Sequence, residues 1–266
     1  MDLKLTGKTA LVTGSTAGIG LEIARRLSAE GVGVIVAGRS QAKLDEAAAS
    51  VAALAPEGAP PTRAILADVA TAEGAATVVR ELPEVDILVN NLGIYEAKAF
   101  TDITDEDWHT LFEVNLVSGA RLARHYFPGM LARDWGRIIF IASESAVMIP
   151  SEMIHYGLTK TAQLSLSRGL AALSKGSKVT VNAVMPGPTQ SEGIADFLRS
   201  MASDPKAPLA ELEAEFFRIH RPTSLIQRMI EADEIASLVA YVASPLSAAI
   251  NGAALRVDGG ITPTIV

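Results

Sequence analysis

The stretch Thr9-Ala10-Leu11-Val12-Thr13-Gly14-Ser15-Thr16-Ala17-Gly18-Ile19-Gly20, continued by Leu21-Glu22-Ile23-Ala24-Arg25-Arg26-Leu27, decides the reading of the fold. A short apolar run before a glycine turn is what a strand buried on both faces requires. The residues after Gly20 take up helical apolar spacing. Strand, glycine turn and helix in this order bring backbone N–H groups and a helix N-terminus to one spot, a cradle suited to a pyrophosphate. The spacing is Gly-xxx-Gly-x-Gly, and the Gly-Lys-Ser/Thr ending of a P-loop is missing, which disfavours a kinase or NTPase. Gly14, Ser15, Thr16, Gly18, Ile19 and Gly20 are the candidate contacts; a glycine turn without a ligand is the alternative.

Working outward, Val32 to Ala37 is the next strand, ending in Gly38-Arg39-Ser40. An Asp or Glu here would grip the two ribose hydroxyls of NAD. Gly38 instead leaves room, and Arg39 supplies a cation able to fork onto a 2′-phosphate, which points to NADP(H). A solvated surface arginine is the alternative. Ala42 to Leu54 reads as a helix, broken by Pro56, Gly58, Pro60 and Pro61. A strand from Arg63 to Ala67 closes in Asp68-Val69, where the carboxylate could accept from an adenine amino group. Glu73 to Leu82 is helical, and Ile87 to Val89 is a strand ending in Asn90-Asn91-Leu92-Gly93. Such alternation predicts right-handed βαβ crossovers into a parallel sheet, with ligands gathered at the strand C-termini.

In the second half, Asp105 to Arg133 is a long apolar helix containing Asn115, whose amide needs a hydrogen-bond partner in such surroundings. That partner can be structural or catalytic. Arg137 to Ile141 is a strand that delivers Ser143, 13 residues before Tyr156. A helix from Ile154 to Leu173 places Tyr156 and Lys160 on one face, four residues apart. A cation beside a phenol favours phenolate and suits the tyrosine to proton exchange near neutral pH. Ser143 lacks a Gly-x-Ser-x-Gly elbow, and nothing brings the late His220 towards it, so a serine hydrolase is a poor fit.

The 266 residues carry 49% hydrophobic and 20% charged positions and a formal charge of -7, which suits an α/β enzyme and argues against disorder. No Lys/Arg-rich block is present, so neither nucleic acid nor a polybasic membrane contact is expected. With no cysteine and 4 histidines, disulfides, thiolate catalysis and a metal site are not expected. Neither a signal peptide nor a transmembrane run is seen, and a cytoplasmic location is expected.

Taken together, Thr13-Gly14-xxx-Gly18-Ile19-Gly20, Asp68-Val69, Asn90-Asn91-x-Gly93, Asn115, Ser143, Tyr156-xxx-Lys160, Pro186-Gly187 and Val257-Asp258-Gly259-Gly260 resemble the short-chain dehydrogenase/reductase family. The resemblance covers nearly the whole chain, in the single-domain form. It implies an α/β, doubly wound Rossmann fold with seven parallel strands and a nicotinamide-dependent oxidoreductase acting on a small-molecule carbonyl or alcohol. It also implies roles. Tyr156 would move the proton, Lys160 would bind the nicotinamide ribose and lower the tyrosine pKa, Ser143 would hold the substrate oxygen, and Asn115 would complete a water-borne proton relay. Asp68, Val69, Asn91, Gly93, Pro186, Gly187, Thr189 and Ser191 would contact the cofactor. Departures from the family pattern are Leu92 between Asn91 and Gly93, Ser191 where Thr is more usual, and Glu144 beside the serine.

The segment 189–229 reads as two short amphipathic helices lidding the substrate cavity. Phe197, Phe216 and Phe217 are either its lining or ordinary core. Glu144 is expected to face solvent unless it meets a polar substrate. His155 points away from the site, and the apolar tail from Ile261 is expected to dock. The family pairs its two long helices across a twofold axis, so a homodimer or homotetramer is expected. Two functions stand: an NADP(H)-dependent carbonyl reductase or alcohol dehydrogenase, or an inactive dinucleotide-binding regulator or scaffold of the same fold. A 3-oxoacyl thioester, a sugar or polyol, a steroid-like ring and a small keto compound are all open as substrate.

Overall fold

The strand that precedes the glycine turn lies near the middle of a seven-stranded parallel sheet in the computed structural model, which describes residues 1–191 and 193–265. In chain order the strands are β1 (Thr9–Val12), β2 (Gly33–Gly38), β3 (Arg63–Leu66), β4 (Ile87–Asn90), β5 (Gly136–Ile141), β6 (Val179–Pro186) and β7 (Ala254–Val257). Their order across the sheet is β3-β2-β1-β4-β5-β6-β7. The chain reverses its direction of winding between β1 and β4, and such a switch point opens a crevice at the strand C-termini. The doubly wound fold is as the sequence predicts.

Neighbouring residues on a strand go to opposite faces. Ala10 and Val12 of β1 join one apolar layer with Ile87, Val89, Ile139 and Ile141. Leu11 joins the other with Leu88, Ile138 and Phe140. Both faces are buried, which is why these strands read as unbroken hydrophobic runs. Helices α1 (Gly18–Ala29), α2 (Gln41–Ala52) and α9 (Ala232–Ala243) cover the first face. The second is covered by α3 (Ala72–Glu81), α5 (Ser118–Ala132) and α6 (Ile154–Leu173). Two shorter helices, α7 (Ile194–Met201) and α8 (Leu209–Ile219), follow β6 and share a small core of their own around Leu198, Leu212, Phe216 and Phe217.

The long helix read over 105–133 is not uniform. It begins as α4 (Asp105–Phe112), capped by a reciprocal Thr104–Asp107 box, and then widens to a π turn over Glu113–Val117 before α5 continues it. Asn115 sits in that turn. Widened turns of this kind are local departures that sequence periodicity does not register, and they recur at functional sites.

Of the 189–229 stretch, Glu192 lies outside the described residues, as does Val266 of the tail. The tail docks at its start only. Ile261 and Thr262 are buried, with Thr262 N–H donating to Asp258 Oδ2, whereas Ile265 is fully exposed.

Candidate active site

Two loops meet at the switch point and lock each other. The Thr13 hydroxyl accepts the N–H groups of Asn91 and Leu92, both at 3.0 Å, and the Asn91 side chain donates back to the carbonyls of Thr13 and Gly14 at 3.0 and 3.2 Å. Beneath them the buried Ser15 hydroxyl donates to Val12 O and accepts from Ala37 N–H, pinning β1 to β2. Both side chains are thus committed to shaping the turn, and their backbone is what remains for a ligand. At Gly14 the backbone φ is +61°, the left-handed region that favours glycine. The turn runs directly into the N-terminus of α1, whose first N–H groups lack helical partners.

Against this turn lies a cleft of about 460 Å³, lined among others by Gly14, Gly18, Ile19, Gly20, Asn91, Gly93, Tyr156, Lys160 and Ser191. A nicotinamide dinucleotide fits these residues. The glycines leave the backbone bare, and Lys160 Nζ donates to Ile141 O at 2.9 Å, while an ammonium has three donors. Burial, partly offset by the Glu144 charge, pulls the lysine pKa down to about 8.

A second cavity, of about 150 Å³, adjoins the first, the two sharing Ile19, Tyr95, Ala142, Tyr156 and Ser191. Its walls include Ser143, Glu144, Pro186, Gly187, Thr189, Phe197, Phe216 and Arg221. Tyr156, in the first turn of α6, therefore stands where the two cavities meet, and Ser143, just past the end of β5, lines the smaller one. The phenol is pushed well above its usual range by burial and by the Glu144 charge, against the Ser143 hydroxyl and the Arg221 charge, which lower it. This departs from the expectation that Lys160 sets the tyrosine pKa. The ammonium lies 5.6 Å from the ring centroid and is directed to a carbonyl, and a buried carboxylate stands beside the phenol. In this setting the protonated phenol is the favoured form.

Asn115 lies behind the site. Its amide clamps Ile94, accepting from Ile94 N–H at 2.8 Å and donating to Ile94 O at 3.0 Å, and also donates to Thr159 Oγ1 at 3.0 Å. Its carbonyl accepts from the Gln163 side chain at 2.5 Å. The residue thus ties the loop after β4 to the helix that carries Tyr156 and Lys160. Arg39, 82% exposed, and Asp68 face each other 4.0 Å apart at the edge of the sheet. Val69 is buried in the core, so only its backbone can reach a ligand. A third cavity, of about 330 Å³ on that side of the turn, is lined by Thr16, Gly18, Arg25 and Lys43 among others.

Glu144 is not solvent-facing; it is 4% exposed and lines the substrate cavity. Phe197 and Phe216 do line the cavity, but Phe217 belongs to the core. Tyr95 and Arg221 are site residues that the sequence did not single out. Tyr95 follows the Asn91-x-Gly93 turn by two residues, and its only local signal is that of an aromatic shortly after a strand end. Arg221 is 77 residues from its partner Glu144 and carries no local signal. His155 stays outside the site, buried edge-on to Trp108 with both ring nitrogens unpartnered. Among the described residues no cluster of three metal-ligating side chains occurs, and no helix is long and apolar enough to cross a membrane.

Comparison with known proteins gives a consistent result. The family described as short chain dehydrogenase matches residues 8–201. The uncharacterized oxidoreductase YvaG of Bacillus subtilis (strain 168) is 49% identical over 265 residues, 100% of both chains. D-beta-hydroxybutyrate dehydrogenase of Cupriavidus necator is 32% identical over 96% of this chain and 98% of its own. Among solved structures, L-sorbose reductase from Gluconobacter frateurii, complexed with NADPH and L-sorbose, superposes with a TM-score of 0.90 at 30% identity over 100% of both chains.

Proposed function

We propose, on the premise that this chain belongs to the short-chain dehydrogenase/reductase family of oxidoreductases, that it is an NADP(H)-dependent enzyme interconverting a carbonyl and a secondary alcohol. The observation that carries the proposal is the convergence of Ser143, Tyr156 and Lys160 where a dinucleotide-sized cleft opens into a small cavity. A nicotinamide held in the cleft would supply the hydride. Ser143 and Tyr156 then hold the substrate oxygen, and the Tyr156 phenol, kept protonated by burial, gives its proton to that oxygen as negative charge develops there. Lys160 orients the ribose with the donors it has left, and Asn115 holds α6 in register with the loop after β4. Gly14 to Gly20 would cradle the pyrophosphate, with Asp68, Val69, Asn91 and Gly93 serving the adenine and ribose edge and Pro186 to Ser191 the nicotinamide.

NADP(H) is preferred on account of Arg39, together with Arg25 and Lys43 around the cavity beside Thr16. A side chain at position 38 would also meet Thr16, the Cβ coming 2.6 Å from Thr16 Cγ2. The complex of L-sorbose reductase with NADPH supports the same choice. The chain acts as one domain, with α7 and α8 as the lid over the substrate. A cytoplasmic homodimer or homotetramer is part of the same reading. Exposed Ile149 and Leu158 add apolar surface at α6, and light scattering should return a multiple of 27.9 kDa.

The test is a panel of 3-oxoacyl thioesters, ketoses and small ketones with NADPH, followed at the reduced-nicotinamide absorbance. Tyr156→Phe should lower kcat by about 10²–10⁴-fold with dinucleotide binding retained. Undiminished turnover in that variant would refute the mechanism. Tight NADPH binding without turnover on any carbonyl would favour the inactive regulator.

A further inference from the structure

The residue after the catalytic serine is a carboxylate that the chain goes to some length to bury. A short 3₁₀ turn over Glu144–Ala146 turns Glu144 back into the substrate cavity. Burying such a group is unfavourable unless it is paired and hydrogen-bonded. Oε2 accepts from Ser143 Oγ at 2.5 Å, and Oε1 accepts from Ser145 Oγ at 3.3 Å and from Arg221 Nε at 3.1 Å. Arg221, 8% exposed, arrives from the segment after α8. Its Nη1 donates to Glu152 Oε1 at 3.1 Å and to His220 O at 2.8 Å, and its guanidinium lies over the Phe216 ring. Nη2 has no hydrogen-bond partner among the described residues. The cavity is thus a small, aromatic-walled space with one wall of strong acceptor and unused donor.

That wall excludes most substrates. Two carboxylates surround one guanidinium, for a formal charge of minus one, so a carboxylate or phosphate next to the reacting carbon is opposed despite the arginine. A purely aliphatic ketone that drew the Ser143 proton to its carbonyl would leave Nη2 and Glu144 Oε2 desolvated without a partner, while Oε1 keeps Ser145 and Arg221 Nε. A hydroxyl, donor and acceptor at once, satisfies both. Because Glu144 is bonded directly to Ser143, that hydroxyl must lie on the carbon adjacent to the carbonyl held by Ser143 and Tyr156. The volume of about 150 Å³ matches that of a cavity that holds a benzene-sized guest.

Resting on the carbonyl reduction proposed above, we infer that Glu144 and Arg221 are the specificity residues of this pocket and select a small α-hydroxy ketone, or in reverse the vicinal diol. The substrate hydroxyl donates to Glu144 and accepts from Arg221 Nη2. In doing so it takes over the acceptor that holds the Ser143 proton, and Ser143 Oγ–H is released to donate to the substrate carbonyl. The hydroxyl therefore assists turnover as well as binding.

Hydroxyacetone and butan-2-one differ only by a hydroxyl in place of a methyl, and their kcat/KM values with NADPH test the inference. The wild type should prefer hydroxyacetone by about 10- to 100-fold, the range of a hydrogen bond to a charged group. Glu144→Gln should shrink that ratio. The double variant Glu144→Leu/Arg221→Met removes both partners, so that no buried charge is stranded in the cavity wall and only the part-exposed Glu152 loses its arginine, and should bring the ratio to one or below. A pair that merely braced the fold would lower both rates and leave the ratio unchanged. Equal use of the two ketones by the wild type, or an unchanged ratio in the double variant, overturns this inference and leaves the carbonyl reductase standing. NADPH binding with no reduction of any carbonyl overturns both.

Discussion

Replacing Gly20 by alanine separates two reasons for which a glycine can be needed. A Cβ at position 20 would lie 2.3 Å from the Gly14 carbonyl oxygen and 2.4 Å from Asn91 Nδ2. Neither neighbour is a loose side-chain end. The carbonyl is backbone, and the amide is held by Thr13 O and Gly14 O. Relief requires the turn to open, at about 1–3 kcal/mol for overpacking, and loses two hydrogen bonds at about 0.5–1.5 kcal/mol each, about 2–6 kcal/mol together. Gly18 is the control. Its Cβ would find open space, with Ser191 Cβ at 3.9 Å, but its φ of +54° strains an L-residue by about 1–2 kcal/mol. Urea unfolding followed by circular dichroism should therefore rank wild type, Gly18→Ala and Gly20→Ala in falling stability, and NADPH titration should show the weakest binding in Gly20→Ala. The reasoning fails if Gly20→Ala unfolds within about 0.5 kcal/mol of the wild type, or if Gly18→Ala is the more damaged.

Two further outcomes follow from the geometry. Arg39→Ala should weaken NADPH by about 1.5–3 kcal/mol, with NADH little changed, in a comparison of dissociation constants at fixed ionic strength; equal losses for both cofactors would remove Arg39 from the 2′-phosphate. The second concerns acid stability. His155 is buried and its pKa is depressed, chiefly by that burial, so the unfolded chain takes up a proton below about 6.5 that the folded protein resists, and stability falls as pH drops through that value. His155→Met should be more stable than wild type by about 1–3 kcal/mol near neutrality, by removing unpartnered ring nitrogens, and its advantage should widen below pH 6.5 in thermal melts. Parallel stability curves for the two proteins would contradict this.

The sequence alone determined the parallel sheet, the glycine turn and the convergence of Ser143, Tyr156 and Lys160 on one end of it. These are local facts. A strand buried on both faces must be a continuous apolar run, a turn that meets a helix N-terminus needs bare backbone, and two side chains four apart on a helix share a face. Only the tertiary structure decided what depends on residues far apart in the chain. The π turn at Asn115 depends on packing against α6, which no periodicity encodes. Glu144 looks like a solvated carboxylate until Arg221, brought in by the segment after α8, makes its burial tolerable. Burial of the phenol itself, and then the Glu144 charge, raises the Tyr156 pKa, where the nearby lysine alone suggested a fall. Charges and pKa values answer to everything within a few ångströms, and in a buried pocket most of those neighbours come from elsewhere in the chain.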